Sequence, residues 1–207
     1  MFCHSVLSRT KARVAFYPMS GEKVEGSTTF NAQRFNVAHE MGYSGWAIWA
    51  DGDMLCRADV EELMIYKDSY CDVVVAKHSY KTKHPVKFLG QPNPDYPRKN
   101  WSSLMLINCG AAVWRRVQAL NPSLSDLHRF SDTVAERGRR VQLFDQARIG
   151  ALPLEWNWLV GEYKYNSASK LVHFTIGTPC WPEYAECDYA DEWHREVELM
   201  TGALQCA

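Results

Sequence analysis

The chain has 207 residues and a net charge of −1 at pH 7, and 46% of its residues are hydrophobic. This length suits one domain with a substantial core, and the composition excludes a disordered chain. The near-neutral charge, with no long run of one sign, argues against nucleic-acid binding, and no apolar stretch approaches the ~20 residues that span a bilayer.

The seven cysteines are scattered, and no two of them form a C-x-x-C pair. A zinc ribbon or a redox motif is therefore not expected. No signal peptide is visible at the start of the sequence. We accordingly expect reduced thiols and a cytoplasmic protein.

Hydrophobic periodicity predicts strands that alternate with helices, a pattern typical of a mixed α/β domain. Strands are expected near residues 14–17, 46–50, 71–76, 102–108 and 171–174, and the Val-rich strand at 71–76 is expected to be central. Helices are expected to end before residue 13 and to cover residues 28–41, 58–66, 111–120, 142–150 and 190–200. Residues 77–100 form a long polar loop, and long loops in compact domains are often functional.

The run from Gly45 to Ala50 is apolar apart from its glycine and ends in two acids, Asp51 and Asp53. A buried strand that ends in this way delivers carboxylates to the edge of a sheet where ligands bind in α/β folds. Unpaired buried carboxylates are costly unless they bind a metal, and oxygen ligands suit Mg²⁺ or Mn²⁺ carrying a phosphate. The alternative is an Asp-Gly-Asp turn that ends an ordinary strand.

His173 lies in the last predicted strand, just before a loop rich in Gly and Pro. An imidazole added to the two carboxylates makes a mixed nitrogen and oxygen site that favours Mn²⁺ over Ca²⁺. The loop at 175–181 offers backbone N–H groups to a phosphate. The alternatives are a structural histidine and a plain turn.

Five segments in this order resemble glycosyltransferases of the GT-A fold, in particular the glycogenin and lipopolysaccharide galactosyltransferase group (family 8) and its bacterial and phage relatives. The segments are 26–35, 46–53, 96–108, 150–157 and 173–177. The resemblance implies one GT-A-like domain over residues 1–207, with a mixed, mostly parallel sheet flanked by helices. It also implies metal-dependent transfer, with retention, from a nucleotide-sugar donor such as a UDP-sugar to an unknown acceptor.

The resemblance also implies roles for individual residues. Asp51, Asp53 and His173 correspond to the ligands of Mn²⁺ or Mg²⁺. The donor-binding positions correspond to Arg34, Asp51, Ser102, Ser103 and Gly177. Asp145 and Gln146 correspond to the start of an Asp-Gln-Asp element beside the reacting carbon, although the third position here is Ala147.

Two departures from the family bear on function. The family places a first strand and a base-binding loop before a segment like His4-Ser5, so we expect a sheet that lacks this strand: either the sequence is truncated or the base site is built differently. The phosphate-binding Lys of glycogenin-like members is missing from the loop after Gly177, with Lys170 and Lys99 as candidate substitutes. The rival functions are a metal-dependent nucleotidyltransferase and a catalytically inactive binding domain.

Overall fold

The computed structural model describes residues 1–19, 32–88 and 90–202. Its α-helices are α1 (Phe2–Leu7), α2 (Val37–Glu40), α3 (Ala112–Leu120), α4 (Leu124–His128) and α5 (Ala190–Thr201). Its strands are β1 (Trp46–Ala50), β2 (Met54–Cys56), β3 (Val73–Ala76), β4 (Val86–Lys87), β5 (Gln91–Pro92), β6 (Leu104–Asn108), β7 (Thr133–Glu136), β8 (Arg139–Gln142), β9 (Ile149–Leu152), β10 (Trp158–Leu159) and β11 (Leu171–His173). The 3₁₀ turns are Gln33–Phe35, Val60–Tyr66, Trp101–Ser103, Gln146–Arg148, Leu154–Asn157 and Pro182–Tyr184.

The main sheet has four strands in the order β1-β6-β3-β9. β6 runs antiparallel to both of its neighbours, and only β3 and β9 are parallel. The expected α/β architecture, a mixed sheet flanked by helices, is confirmed, but the expectation of a mostly parallel sheet is wrong. The chain returns from β3 to β6 through the 77–103 segment without a helical crossover, and a parallel neighbour would need such a crossover.

The position of each strand in this sheet explains its burial. All four residues of β3 are buried, which confirms the central position that its Val-rich sequence predicts. All five residues of β1 are only half-buried, because β1 is an edge strand. The predicted buried strand before Asp51 is therefore an edge strand in the structure.

Hydrophobic residues fill both faces of the main sheet. On one face, α2, α3 and α4 pack around Trp114, Phe130 and Phe144. On the other face, the 3₁₀ turns Val60–Tyr66 and Leu154–Asn157 cover the sheet, with Trp156 fully buried. Burial of large apolar side chains stabilises the fold, by roughly 1.5–3 kcal/mol for each Phe.

A second, smaller sheet has the order β10-β11-β2. Three residues, 51–53, separate the end of β1 from the start of β2 and link the two sheets. β11 pairs antiparallel with β2, and the register sets His173 directly opposite Met54. This pairing brings a residue from late in the chain beside the Asp51–Asp53 link.

Several predicted elements differ from the structure. No strand forms at 14–17, residues 58–66 contain a 3₁₀ turn, and of the helix expected at 28–41 residues 28–31 lie outside the described residues. The expectation of a helix at 142–150 is wrong: a short 3₁₀ turn leads into β9, because residues 149–152 pair with β3.

Other predicted elements are confirmed with small shifts, namely the helices at 111–120 and 190–200 and the strands at 102–108 and 171–174. Within the described ranges, no helix is long and apolar enough to cross a membrane.

Candidate metal centre

The two acids of the sequence motif lie in the link between the two sheets. The backbone N–H of Asp51 donates to the Ser103 carbonyl at 2.9 Å, which extends the pairing of β1 with β6 by one residue. The Asp53 carbonyl accepts from the N–H of Phe174 at 3.0 Å, which extends the pairing of β2 with β11. The backbone is therefore held at both acids, and only Gly52 lies between them.

The third predicted ligand lies beside them. His173 Nε2 is 3.3 Å from Asp53 Oδ1, and each of Asp51, Asp53 and His173 offers one ligand atom within 4.8 Å of the others. His173 is buried, whereas both acids are partly exposed. The structure thus brings together the three residues that the sequence selects as metal ligands.

The hydrogen bonds around His173 indicate which nitrogen of its ring carries the hydrogen atom. Asn157 donates through Nδ2 to Ser103 Oγ and to the Asn100 carbonyl, which leaves its Oδ1 as an acceptor 3.2 Å from His173 Nδ1. His173 therefore donates from Nδ1, and in the neutral ring Nε2 carries the lone pair.

The surroundings of Asp53 Oδ1 fit a cation bound between Asp53 and His173. This oxygen is buried and accepts no hydrogen bond from any residue that the structure describes. It faces the Nε2 atom of His173, so two acceptor atoms oppose each other unless a proton or a cation lies between them. Two carboxylates and a neutral imidazole with an oriented second nitrogen make a donor set that suits Mn²⁺ or Mg²⁺.

Asp51 is held by cationic and polar neighbours. Arg34 Nη2 lies 3.1 Å from Asp51 Oδ1, and Trp49 Nε1 donates to the same oxygen at 3.0 Å. Burial raises the pKa of Asp51 above its ordinary value, although the Arg34 charge opposes this shift. Burial also acts to raise the pKa of Asp53, but the adjacent His173 outweighs it and the net pKa is lowered. A bound cation would favour the charged form of both acids.

Ser102 and Ser103 lie beneath the centre rather than at its surface. Both are buried. Ser102 Oγ accepts from Arg34 Nη1 at 3.1 Å and bonds to His128 Nδ1 at 2.9 Å. Ser103 Oγ donates to the Asn100 carbonyl and accepts from Asn157. Their hydroxyls are therefore engaged in orienting Arg34 and Asn157, and a direct contact with a donor sugar stays a prediction.

Gly177 is enclosed by an aromatic ring. A Cβ atom added at this glycine would overlap the ring of Tyr184, and the glycine itself is buried. Packing of Tyr184 therefore accounts for the absence of a side chain at this position. The expected approach of Gly177 to a diphosphate stays a prediction.

Asp145 and Gln146 are not brought to the centre. Asp145 caps the 3₁₀ turn before β9 by accepting from the N–H of Ala147 at 3.0 Å, and Gln146 Nε2 donates to the Phe130 carbonyl. Ile149, the first residue of β9, pairs with Val73 of β3, and the same row of the sheet continues through β6 to Ala47, near the start of β1. Asp51 follows the other end of β1, so Asp145 and Asp51 lie toward opposite ends of the sheet. The structure therefore does not bring Asp145 and Gln146 to the cluster of Asp51, Asp53 and His173, and their expected place beside the reacting carbon stays a prediction.

Asn157 is the residue that reasoning from sequence missed. It is fully buried, and its amide joins His173 to Ser103 and Asn100. The sequence signal was a polar residue between two tryptophans in the segment Glu155 to Trp158. An amide between two large apolar side chains is buried only where its hydrogen bonds are met.

We expect Asn157→Ala to weaken Mn²⁺ binding by about 10- to 100-fold, the range for partners that orient a metal-ligating histidine. The variant leaves His173 Nδ1 without its acceptor, so the ring loses its orientation. Isothermal titration with Mn²⁺ measures the effect. Asn166→Ala is the matched control and should keep wild-type Mn²⁺ affinity, because the Asn166 side chain lies outside the centre and accepts from the N–H of Ala168. Equal Mn²⁺ affinities in Asn157→Ala and the wild type would contradict the role.

Comparisons with known proteins give a partial picture. No protein-family model matches the chain. The chain is 33% identical over 183 residues to Protein CDI of Arabidopsis thaliana, an alignment that covers 83% of this chain and 65% of that protein. The chain therefore spans slightly less than two thirds of that relative's length.

Two solved structures are also similar in part. One is the apo structure of the bifunctional glycosyltransferase WbbM, with a TM-score of 0.49 and 16% identity, covering 83% of this chain and 35% of that one. The other is the apo form of mouse xyloside xylosyltransferase 1, with a TM-score of 0.43 and 14% identity, covering 77% of this chain and 69% of that one. Both TM-scores lie below 0.5, so the functional argument depends on the site itself.

Proposed function

We propose that this protein is a metal-dependent glycosyltransferase with a GT-A-like domain that moves a sugar from a nucleoside-diphosphate sugar to an acceptor not yet known. The observation that carries the proposal is the convergence of Asp51, Asp53 and His173, with ligand atoms within 4.8 Å of one another. The order of five sequence segments that resemble GT-A enzymes supports the same reading. Mn²⁺ is the cation we expect, with Mg²⁺ as the alternative.

The proposed chemistry needs charge neutralisation at a leaving phosphate. A divalent cation held by these residues would supply Lewis-acid stabilisation of the diphosphate leaving group. Arg34 holds the Asp51 carboxylate in position, and Asn157 holds the His173 ring. Because these supporting side chains are buried and bonded, the ligand atoms are arranged before any substrate binds.

Further parts of the proposal come from the resemblance and from the thiols. We infer a UDP-sugar as donor, retention at the anomeric carbon and a single domain over residues 1–207. The cysteines in the described ranges, namely Cys3, Cys56, Cys71, Cys109, Cys180 and Cys187, are free. Free thiols are consistent with the cytoplasmic location that we propose.

A nucleotide-sugar panel tests the function directly. The protein is incubated with UDP-, GDP- and ADP-sugars in Mn²⁺, Mg²⁺ or EDTA, and the released nucleoside diphosphate is measured. We expect release of a nucleoside diphosphate in Mn²⁺ that stops in EDTA. A ligand at ~100 times its Kd should also stabilise the fold by about 2.7 kcal/mol, a rise of several degrees in Tm.

A second set of reactions, with nucleoside triphosphates and a sugar 1-phosphate, separates the rival functions. Release of pyrophosphate in this set, with no nucleoside diphosphate from the nucleotide-sugars, would identify a nucleotidyltransferase. Metal-dependent binding of a nucleotide-sugar without turnover, in the presence of a broad set of acceptors and of water, would identify an inactive binding domain. A failure of every diphosphate nucleotide to bind in Mn²⁺ would refute the proposal.

A further inference from the structure

The β4–β5 hairpin, which is hydrogen-bonded to the segment that follows His173, carries a lysine. Lys87 is half-buried, and both Asp51 and Asp53 act on it electrostatically. Burial lowers the pKa of Lys87, and the two carboxylates oppose that shift. Among the described residues, its ammonium has no hydrogen-bond or ion-pair partner, and it lies 5.5 Å from the centroid of the Phe88 ring.

The hairpin is tied to the segment that follows His173. The N–H of Phe88, the residue after Lys87, donates to the Ile176 carbonyl at 3.0 Å. The pairing of Lys87 with Gln91 and the bond from the N–H of Asn93 to the Pro85 carbonyl hold the hairpin itself. Hydrogen bonds therefore hold the backbone of Lys87 next to the segment that follows His173.

The charges around the candidate metal centre indicate a role for the Lys87 ammonium in binding an anion. Arg34 and Lys87 balance Asp51 and Asp53 when no metal is bound, and Arg34 is engaged with Asp51. A divalent cation on the two carboxylates would cancel their charge. The positive charges of Arg34 and Lys87 would then remain to face an anion, which matches a diphosphate diester with one negative charge on each phosphate.

The two lysines that the sequence offered for a phosphate are engaged elsewhere. Lys170 pairs with Glu62 and lies over the Trp156 ring. The Lys99 ammonium is buried and donates to Asn93 Oδ1 at 2.6 Å, and also to the Pro94 carbonyl and Thr82 Oγ1. Lys87 has no such engagement within the described chain.

We propose that Lys87 is the side chain that binds the diphosphate of the donor, supplied by the β4–β5 hairpin in place of the loop after Gly177. This inference rests on the proposed function and deepens it. The ammonium would form charge-assisted hydrogen bonds to phosphate oxygens.

Calorimetric titration of UDP in the presence of Mn²⁺ tests this role. We expect Lys87→Ala to weaken UDP binding by about 10- to 100-fold, the cost of a lost hydrogen bond between charged groups. Uridine, which has no phosphate, should bind Lys87→Ala and the wild type with the same affinity. Mn²⁺ alone should bind Lys87→Ala as tightly as the wild type or more tightly, because a nearby cation has been removed.

Two control variants complete the experiment. Lys83→Ala removes an exposed lysine of the same segment and should leave UDP affinity unchanged. Lys87→Arg keeps the charge and should recover most of the lost affinity. UDP binding within twofold of the wild type in Lys87→Ala, or equal weakness in Lys87→Arg and Lys87→Ala, would overturn the role of Lys87 while the glycosyltransferase proposal stands. If the wild type binds none of UDP, GDP and ADP in Mn²⁺, both the proposed function and the role of Lys87 are refuted.

Discussion

Asp53→Asn is expected to abolish Mn²⁺-dependent turnover of a nucleotide-sugar, with a fall of at least ~10³-fold, because the metal contributes several kcal/mol to transition-state stabilisation. The substitution keeps the size of the side chain but replaces the carboxylate that faces His173 Nε2 at 3.3 Å. Mn²⁺ affinity should fall by more than about 100-fold, beyond the usual effect of changing a residue that only orients a metal ligand. Mn²⁺ titration and nucleoside-diphosphate release measure the two effects.

The control for this variant is Asp188→Asn, which changes an exposed acid outside the centre. It should keep wild-type metal affinity and turnover. The melting temperature of Asp53→Asn in EDTA should stay close to that of the wild type, while the rise that Mn²⁺ causes in the wild type should disappear. A variant that still gains stability from Mn²⁺ and still turns over would show that Asp53 is not a ligand.

Glu196→Ala is expected to lower the free energy of unfolding by about 2–3 kcal/mol, since it removes charge-assisted hydrogen bonds from a buried group. Glu196 in α5 is buried, and its carboxylate accepts from His4 Nδ1 at 2.6 Å and contacts Arg9 Nη1 at 2.9 Å. These bonds join the first helix of the chain to the last. For a chain of this length the loss corresponds to a fall in Tm of about 4–10 °C.

The same variant has a defined dependence on pH. Burial acts to raise the pKa of Glu196, but the bonds from His4 and Arg9 outweigh it and hold the pKa below the ordinary value of 4.5. The carboxylate therefore stabilises the folded state above pH 4.5, and this stability is lost as the pH falls through the lowered pKa. The gap in Tm between wild type and Glu196→Ala should narrow below pH 4.5. Glu198→Ala, an exposed position of the same helix, should show neither the loss nor the narrowing.

The elements of the fold differ in how well the sequence alone predicts them. The helices α3 and α5 were predictable because their patterns persist over 9 and 12 residues. The strand β3 was predictable because a short run of consecutive Val residues favours a buried strand. β9 was not, because four residues preceded by a 3₁₀ turn carry no periodicity that separates a strand from a helix. Its identity depends on the ladder it forms with β3.

The sequence by itself determined the chemistry of the candidate site: two acids at the end of an apolar strand and a histidine before a Gly/Pro-rich loop are ligand types that a divalent cation requires. Only the tertiary structure decided the rest. The pairing of β2 with β11 places His173 beside Asp53, and the sheet register moves Asp145 to the opposite end. Asn157 and Lys87 also became visible only in three dimensions. The physical reason is that strand pairing and buried hydrogen bonds join residues far apart in the chain, and local sequence patterns carry no information about such partners.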